Sequence, residues 1–289
     1  MNKIDKLILG TVQFGLLYGI NNKEGNLSDF AVNEILTFAA ENGITDLDTA
    51  YSYGNAMERI GHFHKTTGIK FQVNTKFRID TGITVSEQLQ QSLGQLAIES
   101  VDTFFYHSFV DFINNPKIVV ELNELKSRGY YKKTGVSIYN NDEFVHCINN
   151  IEVDVIQLPF NLLDNCSQRG KLIELAKKNK KEIQVRSVFL QGLFFMKAED
   201  LPIKLLSLAP ALYELFKIAS ELNINIEQLA MTYVQQQLNI DKIIIGVDSV
   251  EQLRKNVLDV DFKISEPYMK LISEILVEDI TLLNPQNWK

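Results

Sequence analysis

The chain has 289 residues, 45% of them hydrophobic and 22% charged, with 29 basic against 36 acidic residues and a formal net charge of -7. Those proportions describe a folded protein with a sizeable core rather than a disordered one. The basic residues are scattered, which excludes a nucleic-acid footprint, and no apolar run approaches the roughly 20 residues that span a bilayer.

The N-terminal MNKIDKLILG carries too short an apolar run for a signal peptide, so export is not expected. Cys147 and Cys166 lack metal-ligand or redox spacing. Both read as reduced thiols of a cytoplasmic protein, and no metal is expected.

The first strand is LILGTV (7–12), followed by SDFAVNEILTFAAENG, a helix that Ser28 caps and Gly43 closes. Strands ITDLDTA (44–50), KFQVNTK (70–76) and VDTFFYH (101–107) follow, with the helix EQLQQSLGQLA before the last of them. The helix KIVVELNELKSRG leads into strand YKKTGVSI (131–138), and DEFVHCINN into VDVIQLPF (153–160). RGKLIELAKKNK is a helix whose lysine-rich run at 176–181 reads as its solvated, dipole-favoured end. Strand EIQVRSVF (182–189) opens a long connection over 191–224 that contains a helix; NIEQLAMTYVQQQ, strand DKIIIGV (241–247) and SVEQLRKNV complete the series.

Eight nearly apolar strands alternating with helices indicate a parallel sheet covered on its outer face. No G-x-G-x-x-G fingerprint opens a helix, which disfavours an open dinucleotide-binding sheet. The expected fold is a (β/α)8 TIM barrel over residues 1–289, a single domain with its active site at the C-terminal mouth. Only about six residues precede the first strand, so little or no N-terminal hairpin plugs the floor.

Polar groups stand at the ends of three neighbouring strands: Asp48 and Tyr53 after the second, Lys76 at the third and His107 at the fourth. A phenol with a pKa near 10 is a poor proton donor at neutral pH unless a positive charge stabilises its phenolate. Lys76 is expected to supply that charge, Asp48 to hold Lys76 charged, and His107 to hydrogen-bond a substrate oxygen. Together they suit proton transfer to a developing alkoxide. Tyr51 is expected to pack or line the mouth, and Glu58 to sit in a first helical turn. His62, His64 and His146 read as surface or helix residues without identifiable partners.

LGTVQFG, ENGITDLDTAYSYGNAMERIG, NTK, QSLGQLAIESVDTFFYH, TGVSIYN, VIQLPFNLLD and IIIGVDSVEQLRKN occur in this order. In these motifs the chain resembles the aldo-keto reductases from about residue 7 to 261. The resemblance implies that Tyr53 is the general acid, Lys76 and Asp48 tune it, His107 orients the carbonyl, and NAD(P)H delivers hydride. It further implies that Ser137 and Gln157 hold the nicotinamide carboxamide. Asn256 and the loop containing Gly246, Val247, Asp248 and Gln252 would hold the adenosine end. RSVFLQGL resembles short bacterial members associated with surface-sugar synthesis.

Three departures matter. Ile138 replaces the family's usual asparagine. Arg186 replaces the aromatic ring many members stack on the nicotinamide, and so either supports the cofactor or meets a carboxylate or phosphate on the substrate. Asp248 would repel a 2′-phosphate, and helical spacing puts Arg254 and Lys255 off the face of Asn256. NADP(H) is the family default and NAD(H) its competitor. The expected substrate is a small aldehyde, ketone or sugar carbonyl and the expected state a monomer. The alternative is a cofactor-binding regulatory subunit of the same fold with little turnover.

Overall fold

The computed structural model describes residues 3–20, 25–258 and 262–288, so the end of the family resemblance at 259–261 lies outside the described residues. Eight strands form a closed barrel: β1 Leu7–Gly10, β2 Asp46–Asp48, β3 Gln72–Phe77, β4 Val101–Tyr106, β5 Tyr131–Ser137, β6 Val155–Pro159, β7 Glu182–Arg186 and β8 Lys242–Gly246. Each pairs in parallel with the next, and β1 pairs with β8 to close the ring. All eight expected strands are present, and the barrel is the (β/α)8 fold that the alternation indicated. Among the described residues a 3-10 turn, Lys3–Lys6, stands ahead of β1.

The helices lie between strands: α1 Asp29–Glu41, α2 Ala56–Thr67, α3 Val85–Leu96, α4 Phe109–Asn114, α5 Ile118–Ser127, α6 Asn141–Asn149 and α7 Cys166–Lys178. Two more, α8 Ala209–Glu221 and α9 Ile226–Gln235, occupy the β7–β8 connection, and α10 Val250–Leu258 and α11 Glu266–Glu274 follow β8. Local chemistry sets their starts. The Ser28 hydroxyl accepts from the Ala31 amide at 3.1 Å, and Thr84–Glu87 and Asn140–Glu143 form reciprocal capping boxes, each such cap contributing about 1 kcal/mol. Among the described residues no helix is long and apolar enough to cross a membrane.

Every residue of β1, β2 and β6 is buried, because barrel strands are covered on both faces. Register places Gly10, Asp48 and Asn74 side by side, and likewise Ser137, Gln157 and Gln184. Paired residues share a face and residues two apart on a strand do so too, so Asp48, Asn74 and Lys76 project together. Gly135 leaves room for its partner on β4: a β-carbon there would stand 2.3 Å from the Phe105 ring.

Tertiary packing changes three expectations. His64 is buried in α2, with Nδ1 2.7 Å from the Leu96 carbonyl and Nε2 accepting from the Phe71 amide at 3.3 Å, so it ties α2 to the end of α3 and the approach to β3. The run at 176–181 is not wholly solvated. Lys177 pairs with the Asp241 carboxylate at 2.6 Å, and the buried Lys181 donates to the carbonyls of Asn150 and Val153, both at 2.6 Å. His146 packs edge-on against Phe109 and Phe112. Burial pushes the Cys147 thiol up to about 12, which leaves it unreactive at neutral pH.

Candidate active site

The loop that carries Tyr53 is pinned by backbone contacts that only glycine permits. A β-carbon on Gly15 would lie 1.9 Å from the Tyr53 carbonyl oxygen, and one on Gly54, which has φ +55°, would lie 2.5 Å from the Gly15 carbonyl oxygen. Arg59 at the start of α2 fastens the same region, donating from Nη1 to the carbonyls of Phe14 and Leu27, each at 2.8 Å, and pairing with Asp29. The Thr11 amide and hydroxyl both donate to the Asp48 carbonyl at 3.0 Å, and the Tyr51 amide donates to the Lys76 carbonyl at 3.0 Å. Main-chain bonds therefore set the approach of Asp48, Lys76 and Tyr53 before their side chains meet.

The Lys76 ammonium donates to Asp48 Oδ1 in a contact almost sealed from solvent, and also to the Thr49 carbonyl at 3.3 Å. Burial pushes the Lys76 pKa down, and the Asp48 carboxylate opposes that shift. Asp48 Oδ2 accepts from Gln157 Nε2 at 2.9 Å. Behind it, Gln184 Oε1 is approached by the amides of Asn74 at 3.4 Å and Gln157 at 3.5 Å. A buried polar chain thus runs across the barrel under the mouth.

Tyr53 is half-buried, its ring edge-on to His107 with centroids 6.0 Å apart, and Lys76 Nζ lies 5.6 Å from the Tyr53 ring centroid. Burial raises the phenol pKa above its ordinary value, Asp48 adds to the rise, and Arg186 pulls against it. Arg186 is the cation that pulls the phenol down, and the Lys76 ammonium beside the ring is paired with Asp48. His107 is pushed down to about 3 by burial and then by the positive charges of Lys76, Arg78 and Arg186, so its imidazole is neutral. A neutral ring both donates and accepts; Nδ1 lies 3.4 Å from Ser52 Oγ.

These groups adjoin a cavity of about 340 Å³ at the C-terminal mouth. Asp48, Tyr53, Arg186, Gly246, Asp248, Gln252 and Asn256 line it, whereas Lys76, His107, Ser137 and Gln157 are not among its lining residues. Val247 is a correction: the alternation of side chains at the end of β8 turns it into the apolar core, 1% exposed, away from the cavity. Lys255 is another, since it lines the cavity beside Gln252 and Asn256; Arg254 instead stacks on Phe38 at 4.6 Å. Tyr51 donates to Gln91 at 3.0 Å, and Glu58 lies in the first turn of α2, near Gln95.

Sequence reasoning assigned no role to Gln13, Tyr18, Asn225 or Glu227, which line the cavity together with Gln191 at the start of the 191–224 connection, a segment expected to fold over a cofactor. Asn225 caps α9 by accepting from the Gln228 amide at 2.7 Å, a legible signal whose place at the mouth depends on the tertiary path. Gln191 donates to Tyr18 Oη at 3.0 Å and accepts from the Ile20 amide at 3.0 Å, joining the loop after β1 to the loop after β7. Ser187, Leu190 and Gln191 in that second loop all have positive φ, a strain of about 1–3 kcal/mol each that loops at functional sites tend to hold.

A nicotinamide cofactor fits this wall. Gln13 Oε1 and Gln157 Oε1 are buried acceptors with no partner, and a β-carbon on Gly246 would meet the Gln13 side chain at 2.6 Å, so the glycine keeps the floor open. The Asn256 side chain is buried at the cavity with no hydrogen bond to another described residue.

A model of the aldo/keto reductase family matches residues 6–277. The chain belongs to the aldo/keto reductase family. Members of that family are oxidoreductases that use nicotinamide cofactors on small carbonyl compounds. Among curated relatives it is 24% identical over 209 residues to the NADH-specific methylglyoxal reductase of Escherichia coli (strain K12), covering 66% of this chain and 64% of that one, under two thirds of the relative's length. The fold is shared with an aldo-keto reductase from Bacillus halodurans in its holo form (TM-score 0.73, 18% identity, 95% and 94% coverage). It is also shared with a putative aldo-keto reductase from Pseudomonas aeruginosa (TM-score 0.65, 21% identity, 88% and 89% coverage).

Proposed function

We propose that this aldo/keto reductase reduces a small aldehyde or ketone with Tyr53 as proton donor. The observation that carries the reading is the meeting of Tyr53 with His107, edge-on at 6.0 Å, beside the sealed Lys76–Asp48 pair. Bound NAD(P)H supplies the hydride. Tyr53 holds its proton at neutral pH because burial keeps the phenol un-ionised, and it gives that proton to the oxygen as negative charge develops there. The neutral His107 donates a hydrogen bond to the same oxygen and orients the carbonyl. Lys76 and Arg186 stabilise the phenolate left behind. Gln157 Oε1, with its amide nitrogen committed to Asp48, accepts from the cofactor carboxamide, and Ser137, its in-register neighbour, stands beside it.

The coenzyme favoured is NADH. Glu227 and Asp248 line the side of the cavity formed by α9 and the α10 approach, with Lys255 as the opposing charge, and two carboxylates disfavour a 2′-phosphate. That the Escherichia coli relative is NADH-specific agrees with this. The test is loss of reduced-nicotinamide absorbance with NADH and NADPH in parallel over aliphatic, aromatic and sugar aldehydes. Tyr53→Phe should lose about 10²–10⁴-fold in turnover while coenzyme binding, read by fluorescence, persists. Turnover unchanged in that variant refutes the proton-donor role, and tight coenzyme binding without turnover by the native chain favours a regulatory subunit.

A further inference from the structure

Arg186 closes β7 at the cavity wall shared with Tyr53 and Asp48. Its guanidinium lies 4.3 Å above the Tyr139 ring, and Nη2 donates to the Ile138 carbonyl at 3.1 Å. Its remaining contact, from Nη1 to Ser187 Oγ, is 3.4 Å long. The Tyr139 platform is itself fixed: its amide donates to the Glu143 carboxylate at 2.7 Å, its carbonyl accepts from Arg169 at 2.6 Å, and its hydroxyl accepts from Gln286 at 3.1 Å.

A guanidinium has five N–H donors, and Arg186 spends two of them on these neutral oxygens. Among the described residues it has no carboxylate partner. The nearby acids are committed, Asp48 to Lys76 and Gln157, and Asp164 to Arg169 through contacts at 2.7 and 2.8 Å. A planar cation held rigidly, half-buried and without a counter-ion is costly unless a ligand supplies the anion. The fork geometry matches a carboxylate or phosphate. Its charge also reaches Tyr53, Lys76 and His107, which places it at the reacting corner rather than at the Lys255 side of the cavity.

We infer that Arg186 is a specificity residue whose free N–H groups bind an anionic group, a carboxylate or a phosphate, carried by the carbonyl substrate. The inference rests on the carbonyl-reductase reading and names the substrate class for it. An anion seated there leaves the Ile138 contact and the Tyr139 stack intact, so binding requires no rearrangement of the platform. It also brings negative charge beside the cation that stabilises the Tyr53 phenolate, which ties recognition of the anion to the step at the phenol.

The test compares matched pairs: succinic semialdehyde with butanal for the carboxylate, and glyceraldehyde 3-phosphate with glyceraldehyde for the phosphate. The quantity read is the ratio of kcat/KM for the charged over the neutral member, in the native chain, Arg186→Met and Arg186→Lys. The native ratio should exceed about tenfold for at least one pair, collapse to near unity in Arg186→Met and recover in part in Arg186→Lys; the pair that responds identifies the anion. Because each ratio is taken within one protein, a general loss of activity cancels. A native ratio near unity for both pairs, or one that survives in Arg186→Met, overturns the inference and leaves the reductase reading standing if neutral aldehydes still turn over through Tyr53. A readout free of turnover is the thermal midpoint with oxalate or inorganic phosphate, measured with and without coenzyme. Stabilisation of the native chain that is absent in Arg186→Met supports the site, and no stabilisation of the native chain refutes it.

Discussion

The Cα of Gly15 presses on the carbonyl of Tyr53 so closely that a β-carbon would overlap that oxygen at 1.9 Å. The neighbour is backbone, so the strain of Gly15→Ala passes to the Tyr53 loop. We expect a stability loss of about 1–3 kcal/mol and a fall in kcat/KM of about a hundredfold from a displaced phenol. Gly94→Ala is the control: Gly94 is exposed in α3 with nothing within 4 Å of an added β-carbon. That substitution should stabilise by about 0.5–1 kcal/mol, read by urea unfolding, and leave kinetics alone.

Breaking the buried pair should be costly on either side. Asp48→Asn leaves an ammonium 2% exposed without its carboxylate, and Lys76→Met leaves the carboxylate with only Gln157 among its side-chain partners. Each should destabilise by about 3–5 kcal/mol, and the double variant should lose less than the sum because neither charge is then stranded. Chemical denaturation of the four proteins measures the coupling.

The pH dependence follows from His107. Its folded pKa, about 3, lies below the ordinary imidazole value, so the unfolded chain takes up a proton that the folded chain refuses. The resulting stability is fully present above about pH 6.5 and is lost as pH falls toward 3. His107→Gln should flatten that portion of the stability curve relative to the native chain. For the same reason kcat/KM should show no acid limb near pH 6.5, and the raised Tyr53 phenol should keep the alkaline limb above about pH 10; pH–rate profiles check both.

Coenzyme choice should respond to the charges of the cavity. Glu227→Gln should raise the NADPH-to-NADH ratio of kcat/KM by about three- to tenfold, and Lys255→Ala should lower it by a similar factor, both effects shrinking at high salt.

The barrel was legible because its signal is local. In β6, VIQLP is apolar but for Gln157 and flanked by helical patterns, which is what a strand covered on both faces looks like. Asp48, Tyr53, Lys76 and His107 were legible because strand ends converge in this topology. What escaped was set by contacts between distant segments. His64 looks like any residue of an amphipathic helix until Leu96 and Phe71 enclose it. Lys255 lines the cavity beside Gln252 and Asn256, a placement set by how α10 docks on the barrel and not by the helical spacing alone. The pairing of Lys76 with Asp48 was legible as well, whereas the bond from Gln157 to the other oxygen of that carboxylate was not.

The bonds from Gln191 to Tyr18 and to the Ile20 amide join the loops after β1 and β7, the two strands that flank β8, and Gly246 at the end of β8 lines the same cavity. A dinucleotide seated in the proposed cavity would meet Tyr18 and Gln191, which line it together with Tyr53. If the joined loops hold the coenzyme, its departure requires these two hydrogen bonds to part. We expect turnover to be ordered, with coenzyme first on and last off. Deuterium at the transferred position of NADH should leave kcat almost unchanged while slowing a single-turnover burst, and Gln191→Ala should make the isotope visible in the steady state.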